Sequence, residues 1–110
     1  MKLRINPLAY QDLLEIKSYI AIELLNPEAA DDIVRNIIAA YNRLSDFPFM
    51  GQSLSAIIGI TTDYRYLVSG SYIIFYKIEN EFVSVYRVLY GKRDYVRVLF
   101  SNQLSNEFDE

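Results

Sequence analysis

Polar and apolar positions change period halfway along the chain, and each half predicts a different kind of element. Residues 2–6 alternate, which predicts a short strand with Leu3 and Ile5 on one face and Lys2, Arg4 and Asn6 on the other. Asn6-Pro7 then reads as a helix start, because Asn accepts a bond from an unpaired backbone N–H and Pro at the first helical position loses no donor. Leu13, Ile16, Ile20 and Leu24 follow at helical spacing, flanked by Tyr10 and Leu14, with Asp12, Glu15 and Glu23 expected to face water. Asn26-Pro27-Glu28 repeats the start signal, with Glu28 well placed at the positive end of the helix dipole. Ile33, Ile37, Tyr41 and Leu44 make the second apolar row, with Val34 and Ile38 beside it, and Pro48 disfavours helix at Phe47. Two helices with almost no linker must double back as an antiparallel hairpin.

Beyond Gly51 the period shortens to two. A loop is expected up to Gly59, with Ile57, Ile58 and Ile60 opening a strand, and residues 63–68 are strand-like. After a turn at Gly70-Ser71, Tyr72, Ile74, Tyr76 and Ile78 share one face, against Ile73, Phe75 and Lys77. Glu79-Asn80-Glu81 is a polar hairpin loop. The return strand sets Phe82, Ser84, Tyr86, Val88 and Tyr90 against Val83, Val85, Arg87 and Leu89. Residues 92–100 fit either a last edge strand or a short helix.

These elements predict an α+β fold: an N-terminal strand, an antiparallel α-helical hairpin and an antiparallel three-stranded meander. The helices cover one sheet face. The other, carrying Ile73, Phe75, Val83, Val85 and Leu89, is too apolar to stay wet. Either a segment of another chain rests there or along a helix face, or Val96, Val98, Leu99 and Phe100 fold back over the sheet.

Composition narrows the chemistry. The 110 residues suit one domain, read as 1–100 followed by an acidic polar tail over 101–110. There is no cysteine and no histidine, which removes disulfides, thiolate nucleophiles, Ser–His and Cys–His pairs and the commonest metal ligand. Any catalysis would fall to carboxylate, Tyr, Lys, Arg or backbone groups. Glu15, Glu23, Asp31 and Asp32 read as solvated helix faces, and no acid pair suggests a metal or glycosidase site. No cofactor and no metal are expected. No apolar run reaches the ~18–20 residues of a membrane span, and the alternating N-terminus lacks a signal-peptide core. A cytoplasmic protein with no membrane partner is therefore expected.

The net charge of −3 hides a division. Residues 1–63 hold five basic and eight acidic side chains, residues 64–100 six basic and three acidic, and residues 101–110 only Glu107, Asp109 and Glu110. The surplus near the C-terminus keeps an anionic partner open. Its densest stretch is Tyr86-Arg87-Val88-Leu89-Tyr90-Gly91-Lys92-Arg93-Asp94-Tyr95. Guanidinium forks and tyrosine faces suit phosphates and stacked bases, and equally a protein interface. The plain alternative is a polar strand end with Asp94 pairing Arg93 or Arg97. Tyr76 and Tyr86, inside apolar strands, read as packing residues.

Four motifs in order resemble a known family. They are Asn26-Pro27-Glu28-Ala29-Ala30, Phe47-Pro48-Phe49-Met50-Gly51, Tyr72-Ile73-Ile74-Phe75-Tyr76-Lys77-Ile78, and Arg87-Val88-Leu89-Tyr90-Gly91-Lys92-Arg93-Asp94-Tyr95. Over residues 1–100 the chain resembles the toxins of type II toxin–antitoxin systems in the ParE/RelE superfamily, also called plasmid stabilisation proteins, and more closely the ParE side. The resemblance implies a small sheet with an α-hairpin and a cognate antitoxin as partner. It implies growth arrest through DNA gyrase for a ParE-like chain, with Arg87, Lys92, Arg93, Tyr95 and Arg97 as target-binding residues and none catalytic. For a RelE-like chain it implies ribosome-dependent endonucleolytic cleavage of mRNA, with Arg65, Arg87 and Tyr95 at the scissile phosphate. Between Arg43 and Arg65 there is no lysine or arginine, so the basic segment of the RelE-like pattern is missing. A self-pairing oligomeric adaptor is the third class.

Overall fold

Both helix-start signals act as the sequence predicts. In the computed structural model, which describes the backbone of residues 1–108 and the side chains of residues 1–101, Asn6 Oδ1 accepts the Leu8 N–H at 2.9 Å and Asn26 Oδ1 accepts the Ala29 N–H at 3.1 Å. Strand β1 (Lys2–Ile5) leads into α1 (Pro7–Ser18), which continues as a wider π-helical turn over Tyr19–Glu23. Helix α2 (Pro27–Asn42) returns along it and tightens into a 3-10 turn at Arg43–Ser45. A Lys17–Asp31 contact of 3.4 Å crosses the hairpin. The π turn explains one departure from the apolar row. Wider winding advances each residue by a smaller angle, so the stripe leaves the core after Ile20: Ile22 and Leu24 are exposed. Leu25 follows in the left-handed region, φ 52°.

The sheet has five strands: β1, β2 (Gln52–Ser53), β3 (Arg65–Ser69), β4 (Tyr72–Glu79) and β5 (Phe82–Tyr90), in the order β1-β5-β4-β3-β2. The expected meander is β3-β4-β5, antiparallel throughout, and β1 adds in parallel beside β5. Asn80 turns the β4–β5 hairpin at φ 57°, a conformation that Asn tolerates through its own side-chain bonds. The strand expected from Ile57, Ile58 and Ile60 does not form. Residues Ser55–Ile58 make one helical turn, α3, closed by Gly59 at φ 71°, because Ser55 Oγ and the Thr62 backbone bond each other twice at 2.9 Å and fold the segment onto itself.

Helices α1 and α2 bury Ala9, Leu13, Ile37, Ala40, Tyr41 and Leu44 against Ile74, Tyr76, Val83, Val85 and Val88. Here the strict alternation expected of β5 fails. Phe75 pairs Arg87 while Tyr76 pairs Val85, leaving Tyr86 as the extra residue of a β-bulge. The bulge resets the phase, so Val83, Val85 and Val88 all serve the helical face, and Val83 and Val85 leave the second face where alternation had placed them. That second face consists of Phe75 and Leu89 with Leu54 and Tyr64. It is covered by the chain itself: helix α4 (Tyr95–Phe108) lays Tyr95, Val98, Leu99 and Phe100 over it. Helical spacing selects Tyr95 in place of Val96. Of the acidic tail read over 101–110, the backbone as far as residue 108 belongs to α4, and the side chains after Ser101 lie outside the described residues.

Candidate target-binding surface

Asp12 was expected in water and is buried, 4% exposed. Its place in the chain explains this, because Ala9, Asp12, Leu13 and Ile16 share one helical stripe, and the stripe faces the sheet. Arg87, which the bulge sets opposite Phe75 in register, reaches it from β5. Arg87 Nε and Nη2 donate to the two Asp12 carboxylate oxygens, both at 2.8 Å, and the Val88 N–H adds a third bond at 2.9 Å. The carboxylate bond raises the Arg87 pKa further above its already high value. An acid at a core-facing helical position was the signal available in the sequence for this pair.

Beyond β5 the chain turns sharply. The Gly91 N–H donates to Ser71 O at 2.8 Å, and a Cβ at Gly91 would stand 3.2 Å from that same oxygen. The Arg93 N–H closes the turn on Tyr90 O, and Asp94 Oδ1 accepts the Arg97 backbone N–H at 3.3 Å as the cap of α4. Asp94 thus serves a backbone group, where an ion pair with Arg93 or Arg97 was the plain expectation. Among the described residues no carboxylate pairs with either arginine. The result is a recess of about 440 Å³ lined by Arg87, Arg93, Asp94, Arg97, Val98 and Ser101. Lys92 is exposed on the same turn.

Of the five residues read as target-binding, the fold brings Arg87, Arg93 and Arg97 to this recess and leaves Lys92 beside it. Tyr95 is half-buried, its ring 5.2 Å from that of Phe75, and seats α4 on the sheet. Arg65 is elsewhere. Its Nη2 donates to Gly51 O at 2.6 Å and Phe49 O at 3.3 Å, and its Nε to Tyr76 Oη at 3.4 Å. Tyr76 Oη in turn donates to Pro48 O at 2.8 Å and accepts the Gly51 N–H at 3.1 Å. Arg65 pairs with Tyr76 in register and shares its face, whereas Tyr95 packs on the opposite face. Arg65, Arg87 and Tyr95 therefore do not converge on one point.

Tyr76 and Tyr86 are packing residues, as their strand positions suggested. The Tyr86 ring meets Tyr64 edge-on at 5.6 Å and its hydroxyl donates to Glu79 Oε1 at 2.7 Å. Burial, then that bond, pushes the Tyr86 pKa up to about 12, while the bond lowers that of Glu79. A second concavity, about 630 Å³, runs between the helical hairpin and the Tyr72–Tyr90 strand ends, with Ile16, Ile20 and Ile33 in its wall and Arg93 at the boundary with the first. Exposed Leu14, Tyr19 and Ile22 extend it over the outside of the hairpin. Among the described residues no cluster of three acids is placed to hold a metal ion, and no helix is long and apolar enough to cross a membrane.

The profile of the family described as the ParE toxin of the type II toxin–antitoxin system parDE matches residues 3–95. Solved structures that share the fold include two toxin–antitoxin systems. The chromosomal ParDE toxin–antitoxin system of P. aeruginosa superposes with a TM-score of 0.70 at 18% identity, covering 82% of this chain and 95% of that one. The RelBE2 toxin–antitoxin complex of Mycobacterium tuberculosis gives 0.52 at 21% identity, covering 81% and 95%. No curated protein sequence matches.

Proposed function

We propose a function from one premise: the chain belongs to the ParE toxin family of type II toxin–antitoxin systems. On that premise it is the growth-arresting partner of a cognate antitoxin, and it acts by binding and poisoning DNA gyrase rather than by cutting RNA. The observation that carries the choice of target is the disposition of Arg65, Arg87 and Tyr95. Cleavage of RNA by its own 2′-hydroxyl needs a base, an acid and cations on one phosphate. Here Arg65 is bonded to backbone carbonyls, Arg87 to a buried carboxylate, and Tyr95 packs across the sheet from Arg65. This supports a binding surface, with no acid–base pair among the described residues. Arg93, Arg97 and Lys92 make the contacts in this reading, while Arg87 and Tyr95 position them. The antitoxin is seated on the helical hairpin, where Leu14, Tyr19, Ile22, Leu24 and Leu25 are exposed.

The test is a double substitution, Lys92→Ala with Arg93→Ala. Both side chains are exposed, so folding is preserved. Growth arrest and gyrase–DNA cleavage complexes should be lost in induced cells, with antitoxin binding retained. Full toxicity in the double variant would contradict the assignment.

A further inference from the structure

We infer that the recess between Arg87, Arg93 and Arg97 is a binding site for one phosphodiester group of a nucleic-acid backbone. The inference rests on the reading of this end of the chain as the target-binding surface and names what that surface holds. Three guanidinium groups wall a space of about 440 Å³ in a chain whose net charge is −3, so their convergence is not a by-product of a basic composition. Their states differ in a way that suits a ligand. Arg87 is fixed from behind: Nε and Nη2 are committed to buried Asp12, while Nη1 makes no hydrogen bond among the described residues. Arg93 and Arg97 reach in from the turn and the first turn of α4 without a carboxylate partner among the described residues. One rigid and two adjustable guanidinium groups around a small space match an anion that accepts from several directions, which a tetrahedral phosphate does better than a planar carboxylate.

The charge selects the kind of phosphate. Of the three cations in the lining, Arg87 is neutralised by Asp12, and Asp94 offsets one of the other two, leaving a balance of +1 in the lining itself, with Lys92 outside it on the same turn. Glu15, exposed and lining the neighbouring hairpin groove, acts on Arg87 only at longer range. A single positive charge matches the single negative charge of a phosphodiester and leaves a doubly charged terminal phosphate under-compensated. Among the described residues Val98 is the one apolar residue of the lining and none is aromatic, so sequence-independent backbone contact is the expected mode.

The experiment uses the full chain, without gyrase, and a fluorescein-labelled ten-nucleotide oligothymidylate followed by anisotropy over a salt series. Arg93→Ala and Arg97→Ala should each weaken binding about tenfold and flatten the slope of log affinity against log salt by about 0.7. Arg35→Ala, which removes an equal charge from the exposed face of α2, should change neither. Inorganic phosphate and a hexaglutamate peptide should displace the probe less effectively than unlabelled oligonucleotide at equal charge. Equal weakening by Arg35→Ala, displacement by hexaglutamate as effective as by oligonucleotide, or no binding by the natural chain at about 50 mM salt would each overturn the inference. Because gyrase is absent, such a failure leaves the gyrase reading standing on protein contacts, and the gyrase reading fails on its own assay.

Discussion

Arg65 and Arg87 stand at two regions of the same sheet, each tied into the fold by several hydrogen bonds, and the difference between their partners separates structure from function. Arg65 is answered by neutral groups, the carbonyls of Phe49 and Gly51 and the Tyr76 hydroxyl. With the Phe49 ring 5.2 Å from its guanidinium, it closes the loop after α2 onto β3 and β4. Arg87 is answered by a buried carboxylate, so its charge is spent internally and the surface charge is handed to Arg93 and Arg97. The first arginine pins a loop. The second anchors a recess from behind.

Breaking the charged anchor should have the largest effect. Asp12→Ala removes three bonds at once and strands a largely buried guanidinium, so urea unfolding should show a loss of about 3–5 kcal/mol. Asp12→Asn, which keeps shape and part of the bonding, should lose less. Equal losses would mean that packing, not the ion pair, holds α1 to β5. At the neutral anchor, Tyr76→Phe leaves the Pro48 carbonyl and the Gly51 N–H without their buried partner and should cost about 2–3 kcal/mol. Protease cleavage near residues 47–51 should rise with it while the Arg87 side stays protected.

The smallest effect tests the aromatic end of the second face. Tyr86→Phe should cost about 1 kcal/mol at neutral pH, at the low end for a bond to a charged group because Glu79 is partly solvated. Its pH dependence has two edges. Tyr86 is raised from 10.0 to about 12, so its contribution is complete below pH 10 and disappears as pH rises through about 12. Glu79 is lowered, so its contribution is present above the ordinary glutamate range and is lost as pH falls through its lowered value. The difference between the natural chain and Tyr86→Phe should shrink at low pH and reverse above about pH 12, where an ionised Tyr86 would face the Glu79 carboxylate. A difference independent of pH would assign the effect to ring packing alone.

The same contrast marks what was legible in the sequence. Asn6-Pro7 and Asn26-Pro27 announce helices through bonds made within three residues, and both helices start where those signals stand. The faces of β4 follow from alternation alone. On β5 alternation is unbroken in the sequence, and neither the bulge at Tyr86 nor the contact of Arg87 with Asp12, 75 residues away, is announced by a local signal on the strand. In the last segment, Val96, Val98 and Phe100 alternate as in a strand while Tyr95, Val98 and Leu99 are spaced as in a helix. The Phe75–Leu89 face decides between them, and Asp94 at the N-cap position is the local signal on the side of the helix. The recess is legible only in part. Its arginines are visible as a cluster, but their convergence depends on the Gly91 turn and the Asp94 cap. Asp12 carries a signal of its burial in its position among Ala9, Leu13 and Ile16.

The proposed function has the chain bind gyrase and do no chemistry on RNA. The most direct measurement is pulse-labelling of cells after tightly controlled induction, following thymidine and methionine incorporation side by side. An early fall in thymidine incorporation with methionine incorporation sustained is the predicted result. Early loss of methionine incorporation would contradict it and return Arg65, Arg87 and Tyr95 to the role of phosphate-binding residues on the ribosome.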